Sequence, residues 1–253
     1  MPIAVNKGVR IHYEIEGSGP PLVLQHWSLA TLQDWRDAGY VSALKDEYRL
    51  ILIDARGHGE SDKPHDPEAY AVEHRVSDIV AVLDDLDTLR AHFLGYSMGG
   101  WIGFGAAQYA PQRFRSLIIG GQHPYAQTME GLRQLIRRGI EDGAAAFVDT
   151  LIDAGFGPIS PAERARILGY DFDALLAVAG DRESLESVLP SMTMPCLLYV
   201  GEADELLPLA KRAAKRMPNV TFVTLPGLGH GGVIERVDLV VPHIKRFLAS
   251  VER

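Results

Sequence analysis

Apolar and polar residues alternate along the first part of the chain. The stretch RIHYEIE, residues 10–16, has an apolar side chain at every second position, which indicates a strand with one exposed face. The following GSGPP is typical of a turn, and LVLQH after it predicts another strand. We therefore expect antiparallel strands at the start of the chain, joined through this turn.

The pattern then changes to short apolar runs separated by segments of helical periodicity. The runs LILID, HFLGY, SLIIG, CLLYV and TFVTL are typical of strands buried on both faces. Residues 70–89 place apolar side chains at three- and four-residue steps, with Asp84, Asp85 and Asp87 on the other side, and residues 234–248 repeat that stripe. The alternation predicts an α/β fold, with a mostly parallel central sheet and helices on both faces.

One region interrupts the alternation of strands and helices. Residues 123–190 contain helical stretches, at 129–155 and 161–180, and no convincing strand; prolines in HP and LPSMTMP mark its two ends. We expect one core domain made of residues 1–122 and 191–253, with a small helical insert at 123–190. The chain of 253 residues, 47% of them hydrophobic, is long enough to bury such a core.

The most specific motif is GYSMG, residues 95–99, which follows an apolar strand and precedes a helical segment. In this context the pattern G-x-S-x-G predicts a sharp strand-to-helix turn that exposes the hydroxyl of Ser97. Glycine at 95 and at 99 permits the close backbone approach that such a turn needs. An ordinary turn with Ser97 as a helix N-cap is the alternative, but a cap alone would not require glycine on both sides.

A serine hydroxyl becomes a nucleophile when a base removes its proton and an acid orients that base. Asp204 lies just past the strand CLLYV, and His230 lies in a loop past the last strand, TFVTL. Both are therefore expected at the sheet edge where Ser97 lies. The chain order Ser97, Asp204, His230 matches the order of a Ser-Asp-His triad on this architecture, and we predict that triad.

Other residues could take the roles of acid and base. Glu202 and Glu205 flank Asp204, but adjacent side chains point in different directions. His58 and His123 also follow strands. We interpret His58 as a polar residue that holds its loop, and keep His123 as the lesser alternative to His230.

The blocks DARGHGESDKP, GYSMGG, GEADELLP and GLGHGG occur in this order, and through them the sequence resembles the α/β-hydrolase superfamily over residues 9–122 and 190–250. The resemblance implies the α/β-hydrolase fold, with the serine as nucleophile, the histidine as base and the aspartate as orienting acid. It also implies that the insert at 123–190 is a cap that shapes the substrate pocket.

The chain departs from the superfamily pattern where the oxyanion hole is expected. The superfamily carries His-Gly after an early strand, whereas this chain has His26-Trp27-Ser28, with tryptophan in the place of glycine. The resemblance implies Met98 N–H and Ser28 N–H as oxyanion donors, with Trp27 N–H as the substitute for Ser28. One preorganised donor stabilises the transition state by ~3 kcal/mol.

Four residues near these motifs are expected to contact the substrate, namely Trp27, His26, Tyr96 and His123. Our hypothesis for Trp27 is that its bulk narrows the acyl pocket and favours small acyl groups. Plain packing of the indole ring is the alternative.

Composition and spacing exclude several partners and cofactors. The net charge of −8 provides no basic stripe, so we expect neither nucleic acid nor a membrane surface as a partner. No uncharged apolar run of about 18 residues occurs and no signal-peptide pattern opens the chain, which predicts a cytoplasmic protein without a membrane span. The single cysteine, Cys196, lies in an apolar strand and is expected to fill the core.

A dinucleotide cofactor and a metal ion also find little support. GLGHGG, residues 227–232, matches G-x-G-x-x-G, but no further strand with an acidic residue about 20 positions later follows it. No paired-cysteine or His-x-x-x-His spacing occurs. We expect no cofactor and no metal.

The sequence thus predicts a serine hydrolase that cleaves a carboxylic ester, lactone or thioester of a small molecule through an acyl-enzyme. Epoxide hydrolases and haloalkane dehalogenases of the resembling superfamily carry aspartate at the elbow, so Ser97 disfavours their chemistry. Carbon–carbon bond hydrolysis and peracid formation stay open, because both use the same triad. A ligand receptor or scaffold with slow turnover is the alternative outside catalysis.

Overall fold

The protein is described by a computed structural model for residues 2–153 and 159–252. The described residues form eight strands of one sheet: β1 (Ile3–Asn6), β2 (Val9–Glu16), β3 (Pro21–Gln25), β4 (Arg49–Ile53), β5 (Ala91–Tyr96), β6 (Phe114–Gly120), β7 (Cys196–Gly201) and β8 (Val220–Leu225). Their helices are α1 (Leu32–Asp37), α2 (Tyr40–Leu44), α3 (Val72–Asp85), α4 (Met98–Tyr109), α5 (Glu130–Glu141), α6 (Ala144–Asp153), α7 (Pro161–Leu168), α8 (Phe172–Val178), α9 (Leu207–Ala214), α10 (His230–Glu235) and α11 (Val237–Val251).

The strands lie in the order β1-β2-β4-β3-β5-β6-β7-β8, and the six strands from β4 to β8 in this order are parallel. The predicted mostly parallel sheet is therefore confirmed. Antiparallel strands do open the chain, but they are β1 and β2, and β2 pairs next with β4. The expected antiparallel pairing of β2 with β3 across the turn is wrong, because the apolar β3 takes a central position between β4 and β5.

Helices cover both faces of the sheet and create two apolar cores. Along β5, Phe93 faces the core with α3, α4 and α9, while Leu94 faces the core with α1, α2, α10 and α11. This two-sided burial explains the continuous apolar runs of the central strands. The expectation of burial on both faces is wrong for β8, which is the last strand of the sheet and is half-buried along most of its length.

The segment between β6 and β7 contributes no strand to the central sheet within the described residues. Its described residues form α5 to α8 and one β-bridge, between Gln127 and Arg182. Each predicted helical stretch is divided in two; between α5 and α6, Gly143 has a φ of +88°, which a helix cannot contain. Residues 154 and 155 of the first stretch lie outside the described residues. Phe147, Val148 and Leu151 of α6 form a small core of their own with Ile167 of α7.

Candidate active site

Ser97 lies at the corner between β5 and α4 in a strained backbone conformation. Its φ is +51° and its ψ is −109°, values that residues with a side chain seldom adopt. The corner is held by two backbone hydrogen bonds, from Ser97 N–H to Gly120 O at 2.9 Å and from Trp101 N–H to Ser97 O at 2.9 Å. The Ser97 side chain makes no capping hydrogen bond to α4. The hydroxyl is therefore available to another partner.

The glycines beside Ser97 allow two backbone segments to approach closely. A Cβ atom on Gly95 would lie 2.3 Å from the carbonyl oxygen of Gly99. A Cβ atom on Gly99 would lie 2.1 Å from the carbonyl oxygen of Gln25, at the end of β3. Both distances are far below any van der Waals contact, so neither position accepts a side chain without moving the backbone.

A hydrogen-bonded chain joins Ser97 to His230 and Asp204. His230 Nε2 lies 3.0 Å from Ser97 Oγ, and His230 Nδ1 lies 2.9 Å from Asp204 Oδ2. Because a carboxylate can only accept, Nδ1 carries the proton in this arrangement, and Nε2 is free to accept the Ser97 O–H. The Asp204 side chain is fully buried, and its Oδ1 accepts a hydrogen bond from Leu206 N–H at 2.9 Å. The His230 side chain is 39% exposed, so this chain of groups is open to solvent at the histidine.

The elements that carry these three residues converge at the carboxyl edge of the sheet. Asp204 lies in the turn after β7, and His230 is the first residue of α10 rather than part of a loop. Tyr96, the last residue of β5, donates a hydrogen bond from its hydroxyl to the backbone oxygen of His230 at 2.5 Å, and the two rings lie 5.4 Å apart. Tyr96 therefore fixes the position of His230 from the side of the sheet.

The competing acids and bases do not reach this chain of groups. Glu202 and Glu205 are exposed, and neither bonds to His230. His58 is buried with Nδ1 3.3 Å from Arg56 O. His123 is buried as well, and its Nδ1 accepts a hydrogen bond from Tyr125 N–H at 3.3 Å. Burial lowers the pKa of both histidines, His58 more strongly.

The residues expected to contact substrate are occupied by internal contacts. His26 is fully buried, with Nδ1 2.8 Å from Trp27 O and Nε2 accepting from Ala55 N–H at 3.0 Å. The ring of Trp27 packs edge to face on Trp35 at 5.4 Å and on Tyr96 at 6.3 Å. These contacts favour the packing interpretation of Trp27.

A cavity of about 270 Å³ lies beside the Ser97 corner. Ser28 and Met98, the two residues expected to supply oxyanion donors, both line this cavity. The predicted contact residues Trp27, His26, Tyr96 and His123 do not line it. The lining also includes two buried arginines, Arg75 and Arg182, which were not predicted from the sequence. A signal existed for Arg75 only, which interrupts the apolar stripe of α3 between Val72 and Ile79.

The described residues contain neither a metal-binding cluster nor a helix that could cross a membrane. Within residues 2–153 and 159–252, no group of three or more His, Cys, Asp or Glu side chains is placed to hold a metal ion. No helix of that part of the chain combines the length and the apolar character needed to cross a membrane. Cys196 is a free, buried thiol in β7, and burial raises its pKa to about 12.

The mostly parallel sheet and the serine corner at its carboxyl edge define an α/β hydrolase. The model of the alpha/beta hydrolase family matches residues 25–242, and the chain belongs to this family. It is a hydrolase by this membership and by its structural neighbours.

Relatives of full length are found among known proteins and solved structures. The chain is 27% identical, over 98% of both chains, to the Bacillus subtilis (strain 168) protein named "Putative 2-succinyl-6-hydroxy-2,4-cyclohexadiene-1-carboxylate synthase". It is 26% identical to the non-heme chloroperoxidase of Burkholderia pyrrocinia, over 99% of this chain and 100% of that protein. The crystal structure of the enol-lactonase from Burkholderia xenovorans LB400 superposes with a TM-score of 0.85 at 25% identity, over 98% of this chain and 100% of that chain.

Proposed function

We propose that the protein is a serine hydrolase that cleaves an ester-like bond of a small molecule through an acyl-enzyme. The observation that carries this proposal is the continuous chain from Ser97 Oγ to His230 Nε2, at 3.0 Å, and from His230 Nδ1 to Asp204 Oδ2, at 2.9 Å. The family membership supports hydrolysis, and the enol-lactonase among the structural neighbours supports an ester or lactone as the bond.

In the proposed first half-reaction, Ser97 Oγ attacks the carbonyl carbon while its proton passes to His230 Nε2. The imidazolium then gives this proton to the departing alkoxide oxygen, the carbon–oxygen bond breaks, and an acyl-serine remains. In the second half-reaction, water loses a proton to Nε2 and attacks the acyl carbon, which releases a carboxylic acid and restores the serine. Asp204 stays ionised and holds the histidine in the tautomer that accepts at Nε2.

We assign the oxyanion hole to the backbone N–H groups of Met98 and Ser28. Met98 is the first residue of α4, so its N–H has no partner within the helix and lies at the positive end of the helix dipole. Ser28 lines the same cavity as Met98, whereas Trp27, the other candidate, does not. Two N–H groups at one cavity suit the charge that develops on the carbonyl oxygen.

We also propose that residues 123–190 act as a cap on the core formed by residues 1–122 and 191–253. Residues of the insert, such as Met129 and Val178, face core residues such as Met98 and Trp101 across the same cavity. The insert would therefore decide which substrates reach the serine.

The test is a panel of short acyl esters, lactones and diketones, assayed with the wild type, Ser97→Ala and Ser187→Ala. Ser187 is exposed and lies outside the proposed site, so it is the matched control. Ser97→Ala is expected to lower kcat by on the order of 10⁴ or more, with Ser187→Ala equal to the wild type. An acyl adduct on Ser97, detected by mass spectrometry after rapid quenching, is expected only with a serine at 97. Full activity of Ser97→Ala would refute the mechanism.

The panel also separates the remaining alternatives. Turnover of diketones alone would indicate carbon–carbon bond hydrolysis, and peracid formation in the presence of hydrogen peroxide would indicate a perhydrolase. A fluorophosphonate adduct on Ser97 combined with negligible turnover of every substrate would indicate a receptor or scaffold.

A further inference from the structure

Two buried arginines lie near the ring of one tryptophan in the cavity beside Ser97. Arg75 and Arg182 are 5% and 7% exposed. Their guanidinium carbons lie 5.9 Å and 5.5 Å from the centre of the Trp101 ring, and all three residues line the cavity. Trp101 belongs to the first turn of α4, four residues after Ser97. Met98, the residue that follows Ser97, lines the same cavity, whereas Ser97 and His230 do not.

Among the described residues, the hydrogen-bond acceptors of Arg75 are all neutral. Its Nε donates to Tyr70 O at 2.8 Å, its Nη2 to Val178 O at 3.1 Å, and its Nη1 to the thioether sulfur of Met98 at 3.2 Å. The carboxylate that acts on the pKa of Arg75 is that of Asp78, and its two oxygens are already bound by another arginine, Arg56, at 2.6 Å each. The positive charge of Arg75 is therefore not neutralised.

Arg182 has still fewer partners. Its Nη1 donates to the side-chain oxygen of Gln127 at 3.1 Å, and its backbone is fixed by paired hydrogen bonds with Gln127. In residues 2–153 and 159–252, no carboxylate oxygen lies within 4.0 Å of a nitrogen of either guanidinium. Burial lowers the pKa of Arg75 to about 10 and that of Arg182 to about 9, so both stay protonated at neutral pH.

Buried charges without counterions are costly, and the aromatic contacts repay only part of that cost. A guanidinium has five N–H groups, and the protein uses three of those of Arg75, so one N–H on each of its Nη nitrogens can still donate to a carboxylate oxygen, as can further N–H groups of Arg182. Three acids of the cavity lining, Glu68, Asp181 and Glu183, are exposed, and Asp181 is bound to Arg133 at 2.7 Å. The cationic groups are thus the buried ones, and the anionic groups lie toward solvent.

We propose that Arg75 and Arg182 form a carboxylate-binding subsite, and that the substrate is a small ester or lactone carrying a free carboxylate. The part of this proposal that concerns turnover rests on the hydrolase function proposed above. Met98 connects the two sites, because its side chain contacts Arg75 while its backbone N–H is a proposed oxyanion donor. A cavity of about 270 Å³ is at the small end for ligand pockets, which suits a short diacid half-ester.

The kinetic test compares monomethyl glutarate with the methyl ester of glutaric monoamide, which replaces the carboxylate by a neutral amide of the same shape. Methanol release gives kcat/KM for each ester. The wild type is expected to prefer the half-ester by at least about 10-fold. In Arg182→Met this ratio is expected to fall by 10-fold or more, and in Arg182→Lys to fall less, since the charge is kept. Arg115→Met, which changes an exposed arginine of β6 outside the cavity, is the control and is expected to keep the ratio.

A binding test separates failure of this proposal from failure of the hydrolase function. Glutarate is titrated calorimetrically into the wild type, Arg182→Met and Arg115→Met, with glutaramide as the neutral probe. One outcome is that the wild type binds glutarate, that Arg182→Met weakens this binding by 10-fold or more, and that no ester is turned over. This outcome supports the subsite and contradicts the hydrolase function. A wild type that neither binds glutarate nor prefers the half-ester, or an Arg182→Met variant with an unchanged ratio, overturns the subsite even where neutral esters are hydrolysed. Should Arg182→Met fail to fold, Arg75→Lys and Arg182→Gln provide the same comparison of ratios.

Discussion

Replacement of Gly99 by alanine tests whether the tight packing of the serine corner matters for its chemistry. The new Cβ would lie 2.1 Å from Gln25 O and 2.9 Å from His26 O, both of them backbone atoms. Because real Cβ contacts are essentially never shorter than 3.0 Å, the start of α4 must move away from β3 by about 1 Å. This movement displaces the N–H of Met98 from that of Ser28, the two proposed oxyanion donors.

A misplacement of this size is expected to lower kcat by roughly 100-fold. The same crowding is expected to cost about 1–3 kcal/mol of unfolding free energy, partly offset by the higher helix propensity of alanine. The assays are kcat on a short methyl ester and the midpoint of urea unfolding. The rate at which a fluorophosphonate labels Ser97 is expected to fall together with kcat, because that reaction passes through the same corner.

Gly103→Ala is the matched control, since it adds the same methyl group one turn further along α4. Its Cβ would lie 2.9 Å from Cε1 of Phe93 and 3.1 Å from Cγ1 of Ile119, which are side-chain atoms away from the corner. We expect a similar loss of stability and a kcat within about two-fold of the wild type. A folded Gly99→Ala variant that keeps kcat within about three-fold, or a Gly103→Ala variant that loses as much kcat as Gly99→Ala, would refute the reasoning.

Three further predictions concern the histidines and their partners. Asp204→Asn is expected to lower kcat by roughly 10⁴-fold with little loss of stability, because an amide can also donate to Nδ1 and then favours the wrong tautomer of His230. Steady-state kinetics measure the change in kcat, and urea unfolding measures the change in stability. Tyr96→Phe removes the hydrogen bond to His230 O and keeps the ring. The loss of roughly 1–2 kcal/mol of transition-state stabilisation is expected to lower kcat about 5- to 30-fold, with KM nearly unchanged. An unchanged kcat would exclude a role of Tyr96 in positioning His230. Burial lowers the pKa values of His26 and His58 below 6.5 in the folded state, so the unfolded chain binds more protons as the pH falls through about 6.5, and the free energy of unfolding decreases. Urea unfolding between pH 5 and 7 should show this decrease, with a slope of at most about 1.4 kcal/mol per pH unit for each histidine, and His58→Gln should reduce the slope.

The parts of the fold that sequence analysis predicted are those fixed by local pattern. Continuous apolar runs indicated the parallel strands, since a strand covered on both faces needs apolar residues on both. The pairing of β2 was not predictable in this way, because its half-exposed alternation fits an antiparallel neighbour on either side. Burial of β8 was overestimated for a similar reason, since a run such as TFVTL carries no sign of an edge position.

The candidate triad was accessible from sequence because topology does most of the positioning. Parallel strands end at one edge of the sheet, so residues that follow β5 and β7 are brought near each other wherever they lie in the chain. The glycines at 95 and 99 marked Ser97 because their backbone packing leaves no room for side chains. The structure brings Asp204 and His230 into one hydrogen-bonded chain with Ser97, and the variants described above test the catalytic role of that chain.

The proposed carboxylate subsite was not accessible in the same way, because three separate segments build it. Arg75 comes from α3, Trp101 from α4, and Arg182 from a loop that precedes β7. The position of Arg75 within an apolar stripe is unusual and could have marked it from the sequence. A single buried cation, however, is also explained by its hydrogen bonds to carbonyl groups. Hydrogen bonds to carbonyl groups do not explain a second buried cation on the same indole ring, because each charge raises the free-energy cost of burying the other. This second cation is why we propose a ligand site here. The chain carries a net charge of −8, so its overall field opposes an incoming anion. Selection for a carboxylate must then come from the two local charges of Arg75 and Arg182. A rise in ionic strength screens the overall field more than it screens a buried pair, so it should weaken binding of the half-ester less than it would weaken binding at a surface site.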